Sequence, residues 1–89
     1  SKIISLSVLK NLRNLHLMNS NVKEVLYFKD LINLRLDKNK ISYINNRTFS
    51  INLIRLILSK NSLTEIRNFY FTNLKELREL DLYENRISY

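Results

Sequence analysis

The stretch LINLRLDKNKIS, Leu31 to Ser42, decides the fold. Its leucines stand at 31, 34 and 36, Asn39 follows, and Ile41 comes two residues later. A helical stripe recurs at three and four, and a half-buried strand alternates strictly by two. Steps of three, two and three obey neither rule. Only Leu34-x-Leu36 has the period of a strand, with two side chains on one face. Asn39 then stands where a further apolar residue would be expected.

The spacing recurs. LRNLHLMNSNV from Leu12, LIRLILSKNSL from Leu53 and LRELDLYENRI from Leu77 share with it the pattern Leu-x-x-Leu-x-Leu-x-x-(Asn or Ser)-x-aliphatic. The starts lie 19, 22 and 24 residues apart. Self-similarity at such lengths marks a solenoid, in which each copy is one coil stacked on the next. On these residues the chain resembles the leucine-rich repeat family. The resemblance implies an α/β-type repeat solenoid, a right-handed horseshoe with a short parallel β-sheet on the concave face and loops or short helical turns on the convex face. It divides 1–89 into one segment, with 1–11 as the tail of a preceding repeat, repeats over 12–30, 31–52 and 53–76, and a partial repeat over 77–89.

In that fold Leu34 and Leu36 point inward from a short strand, and the chain then turns without Gly or Pro, because it contains neither. Thirteen asparagines are the candidates for the turns, since Asn tolerates left-handed backbone and bonds to its local main chain. An inward Asn39 is expected to bond backbone groups of its own turn and of the next coil. Asn39, Asn61 and Asn85 would stack as a buried structural ladder, which Ser20 weakens in the first copy.

The second half of each copy bears on subtype. Ile66, Phe71 and Leu74 fall at the spacing of the 24-residue class, which resembles extracellular members of the family. In the second copy Phe49 follows Ile44, with Ile51 expected to replace a missing leucine, and the shortest copy offers Val22, Val25 and Phe28. Asn45 and Arg67 stand where that class often has proline.

Eighty-nine residues suit one small domain. The absence of cysteine excludes disulfides and thiolate metal sites within it, and no apolar run approaches the length of a membrane span. Residues 1–10 lack a signal-peptide layout, and the first residue is not Met. Ile3, Leu6 and Leu9 look like the end of a preceding coil. The chain is therefore expected to be an internal piece of a longer solenoid, with further repeats at both ends.

The residues flanking the inward leucines would form the concave face. In order these are Asn14, His16, Met18 and Asn19; Asn33, Arg35, Asp37 and Lys38; Arg55, Ile57, Ser59 and Lys60; and Glu79, Asp81, Tyr83 and Glu84. Their charges cancel, so the net +7 lies on the loops and back; Lys38, Lys40, Lys60 and Arg86 are expected to share one lateral edge. A basic track with stacking aromatics is missing, which argues against nucleic acid. Arg55 faces Glu79 and Lys60 faces Glu84 across adjacent rungs, where pairing is expected. Tyr83, Met18 and Ile57 point outward as interface candidates, with Arg35 beside them. The partner-binding set is accordingly His16, Met18, Arg35, Asp37, Arg55, Ile57, Ser59, Glu79, Asp81 and Tyr83, for a protein ligand or co-receptor.

Catalysis finds no support. His16 is three rungs from Asp81, roughly 14 Å, and Asp37 is two rungs from Asp81, near 10 Å. No motif calls for a phosphate loop, a metal or any other cofactor. Asn46-Arg47-Thr48 matches the N-glycosylation acceptor and falls on the convex side. With thirteen Asn and twelve Ser or Thr, chance supplies roughly two such sites, so the motif alone is no evidence of secretion. The expected setting is an extracellular or cell-surface receptor or innate-immune protein; the alternatives are a cytoplasmic scaffold or regulatory subunit, and a polyanion-binding module.

Overall fold

The four Leu-x-Leu motifs become four three-residue strands: β1 (Asn14–His16), β2 (Asn33–Arg35), β3 (Arg55–Ile57) and β4 (Glu79–Asp81). The computed structural model describes residues 11–88. The expected preceding coil at Ile3, Leu6 and Leu9, and the final Tyr89, lie outside them. The strands form one parallel sheet in chain order, with Leu15, Leu34, Leu56 and Leu80 in register. Parallel neighbours require a long return connection, and here each coil's return segment supplies it. The returns contain turns and, among the described residues, a single 3₁₀ helix over Asn68–Tyr70.

The core is a column between sheet and returns. Leu31, Leu34, Leu36, Ile41, Ile44, Leu53, Leu56, Leu58 and Leu63 are fully buried, all from the second and third coils. Leu12, Leu15, Leu77 and Leu82 of the outer coils are partly buried against them. A coil in a stack is covered by its neighbours, so burial falls off where only one neighbour is present. On the return side Phe49 stacks on Phe71, with ring centroids 6.3 Å apart and planes 19° from parallel. Leu74 and Tyr70 are buried beside them. Ile51 departs from expectation: it does not replace the missing leucine but is exposed. Ser50 turns inward instead, its hydroxyl donating to the Lys29 carbonyl at 2.7 Å and accepting the Asn52 N–H at 3.1 Å. A return two residues shorter than the third has no length to bring Ile51 back to the core.

Backbone bonds tie neighbouring coils on both sides of the sheet. Ile32 N–H donates to Arg13 O, Ile54 N–H to Ile32 O and Arg78 N–H to Ile54 O, each at 2.8 Å. Beyond the turn, Lys40 N–H reaches Val22 O, Ser62 N–H reaches Ile41 O and Arg86 N–H reaches Leu63 O. The next N–H of each coil points the opposite way and meets an asparagine. Asn39 Oδ1 accepts from Ser20 N–H at 3.0 Å and Val22 N–H at 2.9 Å. Asn61 Oδ1 accepts from Ile41 N–H at 3.0 Å, and Asn85 Oδ1 from Leu63 N–H at 3.1 Å. Their amide nitrogens donate to the carbonyls of Leu17 and Leu36, Leu36 and Leu58, and Leu58 and Leu82, in the same order. These bonds correct two expectations. Beyond its own turn each amide serves the preceding coil, not the next, because that is where outward-pointing N–H groups lack carbonyls. Asn39 and Asn61 are buried, but Asn85 is only half-buried, since no described coil covers its far side.

The left-handed positions meet the expectation at two asparagines and differ from it at three other residues. Positive φ occurs at Asn19 (54°), Asn21 (60°), Lys38 (60°), Lys60 (56°) and Glu84 (55°). Asn19, Lys38, Lys60 and Glu84 all stand immediately before the ladder position, so the stack imposes this conformation whatever residue is there. Lysine in it costs roughly 1 to 2 kcal/mol. Lys60→Asn is therefore expected to raise the unfolding free energy by about 0.5 to 1 kcal/mol and Tm by a few degrees. Urea denaturation checks this, and a variant no more stable than the parent would refute the strain.

Candidate functional site

The sheet has one face packed on leucine and one turned away, and four rows of side chains cross the second. Strand register fixes two of them, Asn14–Asn33–Arg55–Glu79 and His16–Arg35–Ile57–Asp81. The other two, Met18–Asp37–Ser59–Tyr83 and Asn19–Lys38–Lys60–Glu84, follow on the turns. His16, Met18, Glu79 and Tyr83 are exposed, while Arg35, Arg55, Ser59 and Asp81 are half-buried.

Ile57 and Asp37 correct the expected exposed surface. Ile57 is 4% exposed and Asp37 is buried. Ile57 stands on β3 in the middle of the sheet, in register with Arg35 and Asp81 on the strands either side. Ile57 therefore packs among its neighbours and is not offered to a partner. Asp37 is held by Arg35, whose Nε donates to Oδ1 and Nη2 to Oδ2, both at 3.1 Å. The bidentate fork holds the Asp37 carboxyl below its usual range against the opposing effect of burial, and the same bond raises the Arg35 pKa.

The second ionic contact is looser. Arg55 Nε lies 3.1 Å from Glu79 Oε1, within ion-pair distance. Its N–H is nevertheless buried without a hydrogen bond, as is Asn33 Oδ1 in the same row, so the charges attract without an aligned bond. Such partly exposed pairs contribute 0 to about 1 kcal/mol. Lys60 and Glu84, expected to pair, make no ion pair among the described residues; both occupy left-handed turn positions. What remains unengaged is a mixed surface. Met18 and Tyr83 are its exposed apolar members, and Lys38, Lys60 and Glu84 its exposed charges. Tyr83 is 69% exposed, and its N–H is fixed by Asp81 Oδ1 at 2.9 Å, which sets the backbone beneath a free phenol ring.

Among the described residues no group of His, Asp and Glu is arranged to hold a metal ion, and no helix is long and apolar enough to cross a membrane. Concave features occur on the return side. A groove of about 490 Å³ runs between Lys23–Tyr27 of the first coil and Ser42–Thr48 of the second. Tyr27 and Tyr43, exposed along it, were not singled out by the leucine pattern. The available signal was the 19-residue length of the first coil, too short to cover the return of the second. Asn46 is exposed in the turn at the end of this groove.

Residues 51–89 match the family described as Leucine rich repeat. No curated protein and no solved structure matches the chain.

Proposed function

We propose that the chain, whose residues 51–89 match the leucine-rich repeat family, is a non-enzymatic protein-recognition segment whose sheet face holds a protein ligand or co-receptor. The four coils are part of a longer, curved, right-handed horseshoe with this face concave, flanked by further repeats. The setting is an extracellular or cell-surface protein of receptor or innate-immune type. Phe71 and Leu74 at the 24-residue spacing support that subtype. The 19-residue first coil favours a second reading, a cytoplasmic scaffold or regulatory subunit.

The observation that carries the reading is the state of Tyr83. Its ring is exposed on a fixed backbone, and its hydroxyl makes no hydrogen bond among the described residues. Tyrosine contributes a large rigid contact area at low entropic cost, and such residues dominate interface energetics. The mixed charges around it suit a protein better than a polyanion, whose binding would fall steeply with salt. With the ligand captured from the native source and identified, Tyr83→Ala should weaken binding by at least tenfold without changing Tm. Tyr43→Ser on the return side should leave affinity unchanged. The reverse pattern would place recognition on the back of the coils.

A further inference from the structure

The second coil's return is exposed because the first coil is shorter. Between equivalent leucines the first coil has 19 residues and the second 22. Phe49 of the second coil is covered on one side by Phe71, but towards the first coil it borders a groove of about 350 Å³. Tyr27, Asn46, Arg47, Phe49, Ile51 and Asn73 line it. Tyr27 is 57% and Ile51 61% exposed, so two large apolar side chains stand in water beside each other's groove. A patch of this kind asks for a cover.

The groove has a tether on its own wall. Asn45, Asn46, Arg47 and Thr48 make a turn held by Asn45: its N–H donates to Thr48 Oγ1 at 2.8 Å, and its Oδ1 accepts the Arg47 N–H at 2.7 Å. The Asn46 side chain has no such task. It is exposed and makes no hydrogen bond among the described residues. Asn46-Arg47-Thr48 also has the acceptor spacing for N-linked sugar.

We propose that Asn46 is N-glycosylated and that the first N-acetylhexosamine lies in this groove over Tyr27 and Ile51. The inference rests on the extracellular reading above. In the transfer, Asn46 Nδ2 forms a bond to the anomeric carbon of a lipid-diphosphate-linked sugar as the anomeric C–O bond breaks. The diphosphate carrier leaves with the electron pair, and the amide proton passes to base. Transfer acts on the unfolded chain, so the Thr48 hydroxyl is free then and closes the turn afterwards. The sugar's apolar face would replace water over the two side chains, and its hydroxyls would remain solvated.

The test is expression of the chain behind a secretion leader in glycosylating cells, with peptide mass spectrometry before and after enzymatic removal of N-glycans. Sugar is expected at Asn46, and its removal should lower Tm by roughly 2 to 5 °C. That difference should vanish when Tyr27→Ser and Ile51→Ser are combined, because the sugar then has nothing apolar to cover. Enzymatic removal compares one preparation with itself, so the result does not depend on how an Asn46→Gln variant folds. A chain retained in the pathway would still carry sugar, since transfer precedes folding. A bare Asn46 refutes the site, and sugar without a Tm difference refutes the cover. Fractionation of cells making the native protein answers separately. Residence in the cytosol would refute the extracellular reading, and with it the modification in the cell, even where forced secretion shows Asn46 accepting sugar.

Discussion

Asn61→Leu is expected to lower the unfolding free energy by about 3 kcal/mol, a large part of the roughly 4 to 13 kcal/mol that a domain of this length possesses. The loss is unevenly divided. Ile41 N–H, which donates to Asn61 Oδ1 at 3.0 Å, is left buried with no acceptor. The carbonyls of Leu36 and Leu58 each lose one of two amide donors but keep the other, from Asn39 and Asn85 respectively. The first group bears the full cost of an unsatisfied buried donor, about 1 to 3 kcal/mol, and each carbonyl adds a smaller amount. Asn61→Asp separates these contributions. A carboxyl can still accept from Ile41 N–H, but its second oxygen faces two carbonyls, which favours the protonated form and raises its pKa in the folded state. A raised folded pKa gives stability present at low pH and lost as pH rises through that value. Relative to the parent, the aspartate variant should therefore be less destabilised at pH 4 than at pH 7. Urea denaturation at both values checks this; a leucine variant within 1 kcal/mol of the parent would mean the amides do not hold the coils together.

Leu56→Ala should cost about 3 to 5 kcal/mol, by lost transfer energy and by the cavity left behind. Leu56 is 0% exposed and lies in register between Leu34 and Leu80. The column is closed above and below it, so little can collapse into the space. Leu80→Ala removes the same atoms one rung away, where the side chain is 39% exposed, and should cost about 1 kcal/mol. The difference between two identical substitutions in one row measures what stacking adds to burial. Equal losses would show that the second and third coils do not form a shared core.

The inward residues were legible because they obey a spacing: the Leu-x-Leu pairs mark the strands, and the amide three positions later marks the turn. What resisted reading depends on neighbours across rungs. The repeat register sets Arg35 and Asp81 beside Ile57 from 22 and 24 positions away, but it does not show that Ile57 is buried there. The fork from Arg35 to Asp37 is local, yet alternation along a strand places the two side by side without saying that they bond. Left-handed backbone at Lys38, Lys60 and Glu84 is imposed by the turn against residue preference, so composition pointed to asparagine instead. Spacing is also symmetric along a stack, which is why it could not tell a bond to the preceding coil from one to the following coil.

That last property gives the array a vector. Every seam between described coils is sealed by an amide belonging to the later coil, and the earlier coil contributes only main chain. A unit joined after Glu84–Ile87 would bring its own seal, requiring nothing of the sequence already present. At the same position the first described coil has Ser20, whose hydroxyl is turned back onto the Met18 carbonyl at 3.0 Å. A coil that follows an Asn-bearing one is thus sealed by its own amide, whereas a coil that bears Ser at this position leaves its seam to main chain, as in a filament with unlike ends.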